Sequence, residues 1–428
     1  MIDYFWEMAS LLLRWLHVVA AIAWIGESFY FVALDRGLQP PARPQPNLAG
    51  ESWSVHGGGF YHKQKYLPAP LELPTVLHWS KWKSYATWLS GFLLFAVIYL
   101  RQPEIQLIDP EVAALSPSLA IILALAFPLL GWLIYDSLCD WFGVRAPGQP
   151  ENDRTLGVLV ALLVLVTIYA ATHLFAGRAA FLLVGAVLAT IMSANVFFVI
   201  IPGQRRMVAA LARGEAPDPL PGLQGKQRSV HNTYFTLPVV FAMLANHWGN
   251  VFAHPHNGLL LALFMAAGAL IRQFFVVWHS GQRAWRLLAV GLAVLLAALA
   301  WLAPTPPSAR SAETADSAAA TAPDPAGGGL GSASVATVVS DDAVLQIFAA
   351  RCGGCHSATP RLMGSAPKGT IFDQLGQIEA SAALIHKQVV ELRIMPPGNL
   401  TGLSEEERSL IARWTAARMA AGGPRTED

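Results

Sequence analysis

The chain has 428 residues, of which 54% are hydrophobic and 13% charged, with a net charge of +1 and a positive mean hydropathy. Soluble domains carry about 25% charged residues, so composition excludes a water-soluble globule and places most of the chain in a bilayer. No nucleic acid is expected among its partners.

Apolar stretches of spanning length lie at about residues 8–34, 84–100, 117–137, 156–176, 179–201, 231–248, 259–278 and 285–303. Eight spans follow. No cleavable leader is expected, because the first stretch is long, begins after acidic residues and runs through Trp24 and Phe29 without a small-residue cleavage site. With the N-terminus outside, the inner loops hold fifteen Lys and Arg and the outer loops only Arg101 and Arg178. Basic residues collect on the cytoplasmic side, so this orientation is preferred, and an even number of spans returns the C-terminus to the outside.

Ionisable groups inside a bilayer are costly and mark function or pairing. His17, His173 and His247 fall toward the outer side. Glu27, Asn195, His231, Arg272 and His279 fall toward the inner side. The first inner loop contains Trp53-Ser54-Val55-His56-Gly57-Gly58-Gly59-Phe60-Tyr61-His62, in which consecutive glycines let backbone approach a flat ligand or simply make a turn. Glu27 and Arg272 are either site residues, partners of one another, or side chains that reach the interface.

Beyond the last span, residues 304–337 are rich in Pro, Ala, Ser, Gly and Thr and read as a flexible tether. Asp341 to Ala350 then predicts a helix running into Cys352-Gly353-Gly354-Cys355-His356. Two thiols three positions apart with histidine next is the pattern of covalent haem attachment, each sulfur adding to one vinyl group and His356 ligating iron. A zinc site would need a second ligand pair, and a redox CxxC would need no histidine. Met395, in Ile394-Met395-Pro396-Pro397-Gly398, is the candidate sixth ligand, ahead of His386. Ser404-Glu405-Glu406-Glu407 predicts a capping box opening a final amphipathic helix. Cys139 has no partner in the pattern and reads as packed.

The expected fold is therefore all-α: an eight-span transmembrane helical bundle over 1–303, a flexible linker over 304–337, and a small class I-like cytochrome c domain over 338–428. Both termini are expected outside a bacterial inner membrane, in the periplasm.

Several runs together carry a resemblance: His56-Gly57-Gly58-Gly59-Phe60-Tyr61, Leu77-His78-Trp79 with Trp88-Leu89-Ser90-Gly91, His231-Asn232-Thr233-Tyr234-Phe235-Thr236-Leu237-Pro238 with Asn246-His247, and Met395-Pro396-Pro397-Gly398-Asn399. In these the chain resembles the bacterial membrane-bound urate oxidases, or urate hydroxylases, which fuse an eight-span domain to a periplasmic cytochrome c. The resemblance implies oxidation of urate with water to 5-hydroxyisourate, without hydrogen peroxide. Electrons would pass through one covalent haem c to a periplasmic or membrane acceptor such as a cytochrome c or a cytochrome oxidase.

Such chemistry needs a base for the purine, a cationic or amide group for its oxygens, and a water aimed at the ring. Glu27, His56, His231 and Arg272 are the candidates. Urate yields two electrons and one haem accepts one, and a site near the inner side would lie about a hydrocarbon thickness, 30 Å, from the outer haem. His17, His173 and His247 are thus candidate ligands of a second, b-type haem or a metal. Two other readings share this architecture: a quinol-oxidising respiratory subunit, and a transporter with a redox-sensing cytochrome.

Overall fold

A computed structural model describes residues 2–147, 153–303, 339–363 and 366–421. The expected linker, 304–337, lies outside the described residues. The chain divides into two compact units, one of Met1–Leu295 with Pro397–Leu400 and the other of Leu296–Pro396 with Thr401–Asp428.

The first unit begins with α1 (Ile2–Arg36). A two-stranded antiparallel ribbon, β1 (Leu48–His56) and β2 (Gly59–Tyr66), follows. Then come α2 (Trp82–Phe95), continued by a π turn Ala96–Leu100, the short α3 (Pro103–Gln106), α4 (Pro117–Phe142) and α5 (Asp153–Leu174). Next, α6 (Gly177–Ala194) runs through a π turn Asn195–Ile200 into α7 (Ile201–Ala212). The unit closes with α8 (Leu220–Leu244), the short α9 (Gly249–Phe252), α10 (Asn257–His279) and α11 (Trp285–Trp301).

Among the described residues, six helical stretches are long and apolar enough to cross a membrane: Tyr4–Arg36, Trp82–Leu100, Pro117–Phe142, Arg154–Leu174, Gly177–Ala212 and Asn257–His279. The other two expected spans are helical but differ in kind. Helix α8 has the length, yet its first half carries Gln224, Lys226, Gln227, Arg228, His231 and Asn232; α11 is apolar but has 17 residues. Large apolar side chains of α1, among them Trp15 and Ile22, are exposed, which is compatible with lipid contact.

Helix α6 is the centre of this unit, with most of its residues from Ala179 to Ala194 buried and the helix packed against α4, α5 and α8. Small residues set the spacing. A Cβ on Gly131 of α4 would lie 2.5 Å from Val187 Cγ1, so the two helices meet at a distance only glycine permits.

The ribbon departs from the all-α expectation. Gly57 and Gly58 both have positive φ, 59° and 81°, so they form a two-residue turn whose twist matches the flanking strands. Val55 pairs with Phe60 and Trp53 with His62, and Trp53 stacks on His62 at 4.2 Å. Alternation over only a few residues on each side of the turn is the local signal for it.

In the second unit, α12 (Asp341–Arg351) is capped by the Ser340 hydroxyl, which accepts from the Ala343 amide. Two short helices, α13 (Leu375–Ala380) and α14 (Ala382–Ile385), precede α15 (Glu405–Ala421). The expected capping box is formed: Ser404 Oγ accepts from the Glu407 amide at 3.1 Å, and the Glu407 carboxylate accepts from the Ser404 amide at 2.8 Å. Val344, Ile347, Phe348, Ile378, Ile385, Ile411 and Trp414 form the core.

Candidate functional site

In the C-terminal unit the end of α12 tightens so that the Cys355 and His356 amides both donate to the Cys352 carbonyl, at 3.1 and 2.8 Å. One turn therefore carries both thiols and the imidazole. Both cysteines are free. Burial pushes the Cys352 thiol up to about 12 and raises Cys355 as well. This is the opposite of the lowered thiol pKa values of redox CxxC pairs.

A carbonyl only accepts hydrogen bonds, so His356 Nδ1, 2.9 Å from the Thr370 carbonyl, carries the proton. The lone pair then sits on Nε2, the arrangement that orients a metal-ligating imidazole. Phe372 packs on this ring at 5.0 Å. Met395 lies half-buried against the same core as Cys352 and Phe372. His386 is occupied differently, with Nδ1 2.7 Å from the Thr415 hydroxyl, which in turn donates to the Ile411 carbonyl. Two thiols, an available Nε2 and a nearby thioether fit a covalently attached haem. Among the described residues no group of three or more His, Cys, Asp or Glu is arranged to hold a metal ion.

In the membrane-type unit the four candidate catalytic residues separate. Glu27 accepts hydrogen bonds from Lys83 Nζ at 2.7 Å and from the Ser80 hydroxyl, tying α1 to the start of α2. Arg272 is not its partner. That residue is only 3% exposed, its guanidinium lies 4.0 Å over the ring of Phe29, and neither Nε nor Nη2 has a hydrogen-bond partner among the described residues. Nearby, the Tyr234 hydroxyl donates to Gln273 Oε1. His56 stands exposed at the tip of the ribbon.

The outer-side histidines are not joined to one another by any hydrogen bond or ring contact. His17 Nδ1 donates to the Thr87 carbonyl at 3.0 Å and to Ser90 Oγ at 3.1 Å, with its ring seated on Gly91. His173 is exposed, with Nδ1 bonded to the Tyr169 carbonyl at 2.7 Å. His247 is exposed beside Trp248.

His231 belongs to a buried polar network that sequence reading touched only through His231 and Asn195. Its Nδ1 is 2.7 Å from the Tyr135 hydroxyl. The Asn195 amide donates to that hydroxyl at 3.1 Å and to Asn232 Oδ1 at 2.9 Å, and Asn232 donates to the Met192 carbonyl. Arg228 reaches Asn195 Oδ1 at 3.3 Å, pairs with Asp136 at 2.8 Å and Asp140 at 3.5 Å, and covers the Tyr135 ring at 5.1 Å. Tyr135 and Asn195 are fully buried, and Asn195 opens a π turn, a distortion frequent at functional sites. Beside the network lies a cavity of about 360 Å³ lined by Trp132, Asp136, Cys139, Arg206 and Arg228 among others. The spacings Tyr135-Asp136…Cys139-Asp140 and Arg228…His231-Asn232 are one helical turn each, the pattern by which two facing polar helix edges could have been found.

The fold and these centres define an apolar helical bundle with a buried cation and a buried tyrosine–histidine pair, in one chain with a small helical unit bearing a Cys-Cys-His turn. The family model described as "Urate oxidase N-terminal" matches residues 3–303. The chain belongs to that family and is a urate oxidase-related protein. No curated protein and no solved structure matches it.

Proposed function

We propose that this protein is a membrane-bound oxidoreductase that converts urate and water into 5-hydroxyisourate, two protons and two electrons, with a haem c on its C-terminal unit as the electron outlet. The observation that carries the reading is the union, in one chain, of a urate oxidase-family unit with a turn offering two free thiols and a histidine whose Nε2 lone pair is available. Cys352 and Cys355 would hold the haem, with His356 and Met395 as axial ligands. The chemistry such a group supplies is one-electron transfer to a periplasmic or membrane acceptor such as a cytochrome c or a cytochrome oxidase. The eight-span bundle sits in a bacterial inner membrane with both termini periplasmic.

Arg272 binds the urate anion. A buried guanidinium with Nε–H and Nη2–H unpaired presents two parallel donors, which match a planar pair of acceptor atoms. Phe29 holds the plane of the cation. Glu27 acts through its ion pair with Lys83, which pins the part of α1 that carries Phe29. His231 takes the proton from the purine or from the attacking water. His56, on the ribbon tip, faces the inner aqueous phase.

The test is anaerobic addition of urate to membranes holding the oxidised protein while the haem absorption is followed. Reduction by urate, with no hydrogen peroxide formed when oxygen is readmitted, is the expected result. Haem that stays oxidised with urate and is reduced by quinol overturns the reading in favour of a respiratory quinol-oxidising subunit.

A further inference from the structure

Helix α8 separates two polar regions and touches both. On one side Tyr234 lies within electrostatic reach of Arg272. One helical turn earlier, His231 is hydrogen-bonded to Tyr135. Cys139 lies one turn after Tyr135 on α4 and lines the 360 Å³ cavity. The sequence across the bundle is thus Arg272, Tyr234, His231, Tyr135, Cys139 and cavity.

The polarity of the hydrogen bonds along this line is set by its members. Asn195 Nδ2 can only donate, and it donates to the Tyr135 oxygen. In the tautomer that carries its hydrogen on Nδ1, His231 is the second donor to that oxygen, at 2.7 Å. A proton arriving on Nε2 of His231 can therefore be matched by transfer of Nδ1–H to Tyr135 and of the Tyr135 hydrogen toward the cavity, with no net charge left on the phenol. The cavity has charged and amide side chains in its wall and room for on the order of ten waters at about 30 Å³ each. Trp132, whose indole N–H has no partner among the described residues, and Asp136 and Asp140, paired to Arg228, line it.

We propose that the His231–Tyr135 pair and the water-filled cavity beyond it form the proton outlet of the oxidation, delivering protons to the side of the α4–α5 and α7–α8 loops. This rests on the proposed urate oxidation. Each turnover takes two electrons from urate and water to an external acceptor by way of the haem, and the two protons left behind pass one at a time from His231 through Tyr135 to cavity water. The charged and titratable groups facing the pair are Arg228, Asp136, Asp140, Cys139 and Arg206 on the cavity side, and Arg272 and Tyr234 on the other. Tyr135 acts through His231 and is a positioning and relay residue.

The experiment uses the full-length holoprotein in oriented proteoliposomes, with ferricyanide as acceptor on the haem side and pH dyes on both sides. Urate is expected to release protons on the side of the α4–α5 loop. Tyr135→Phe, which keeps the ring and removes the hydroxyl, is expected to slow urate-driven haem reduction about 100-fold, the usual worth of a positioned proton-transfer group. It should flatten the pH profile and leave urate affinity and haem content unchanged. Protons appearing on the haem side, or wild-type rates and pH profile in Tyr135→Phe, overturn this inference alone. Failure of urate to reduce the unsubstituted protein overturns the functional reading and this inference with it.

Discussion

Arg272 places a permanent charge, 3% exposed and short of two hydrogen-bond partners, inside an apolar bundle. Taking a charge out of water without a partner costs several kcal/mol, and an apolar replacement of similar volume is often more stable. The fold therefore carries a cost that a bound anion would relieve beyond what the Phe29 ring supplies. Arg272→Met is expected to raise the thermal midpoint measured without urate, and to abolish the further rise that urate gives the unsubstituted protein. Arg272→Lys should restore little, because one ammonium cannot reproduce a planar pair of donors. A charge-assisted hydrogen bond contributes about 1.5–3 kcal/mol, so losing one in the Lys variant raises KM roughly 10- to 100-fold. A lower midpoint in Arg272→Met, with KM unchanged in Arg272→Lys, would show that Phe29 alone satisfies the guanidinium.

Between elements, the contacts that join helices are where sequence and structure part company. Helices announce themselves by unbroken apolar length, and the cap at Ser404 by its own spacing, since each of these signals is local. Local signals also mark the Cys352 to His356 turn. Partners across helices are not local. Nothing near Glu27 names Lys83, and nothing near His231 names Tyr135, because each pairing depends on which helix faces which. Of the candidate site, the residue types were thus legible and their grouping was not.

In the C-terminal unit such a long-range join has a measurable pH dependence. Asp341, opening α12, accepts from Trp414 Nε1 at 2.8 Å and from Arg418 Nη2 at 2.5 Å on α15. The Trp414 hydrogen bond first, then that of Arg418, lowers its pKa. A carboxyl whose folded pKa is depressed contributes stability above its unfolded value, about 3.9, and loses it as pH falls through the lower folded value. Amide exchange in α12 should therefore accelerate relative to the rest of the unit as pH falls below about 4, after correction for the intrinsic exchange rate. Asp341→Asn should show faster exchange already at pH 6 and little further change. Equal protection in both proteins across that range would mean that the apolar core alone holds α12 in place.

For the whole molecule the governing number is the electron count. Urate gives up two electrons on hydroxylation, while a single haem c takes one. Either the bundle holds a second redox group, or the first electron must leave before the second is taken. The outer-side histidines bear on this choice. His17 offers Nε2, since its Nδ1–H is committed to Thr87 and Ser90, but its ring is already packed on α2, where a Cβ added to Gly91 would come within 2.8 Å of Cε1. His173 and His247 are exposed and share no hydrogen bond or ring contact with His17 or each other. The expected pyridine haemochrome result is therefore one haem per chain, all of it covalent. Rapid mixing with less than one urate per chain should then reduce the haem in two phases, the second slowed by dilution, because the second electron must reach another chain or wait for reoxidation. A second, extractable haem would overturn this and restore His17, His173 and His247 as its ligands. The bundle would then store the second electron itself, and reduction would run in one phase independent of protein concentration.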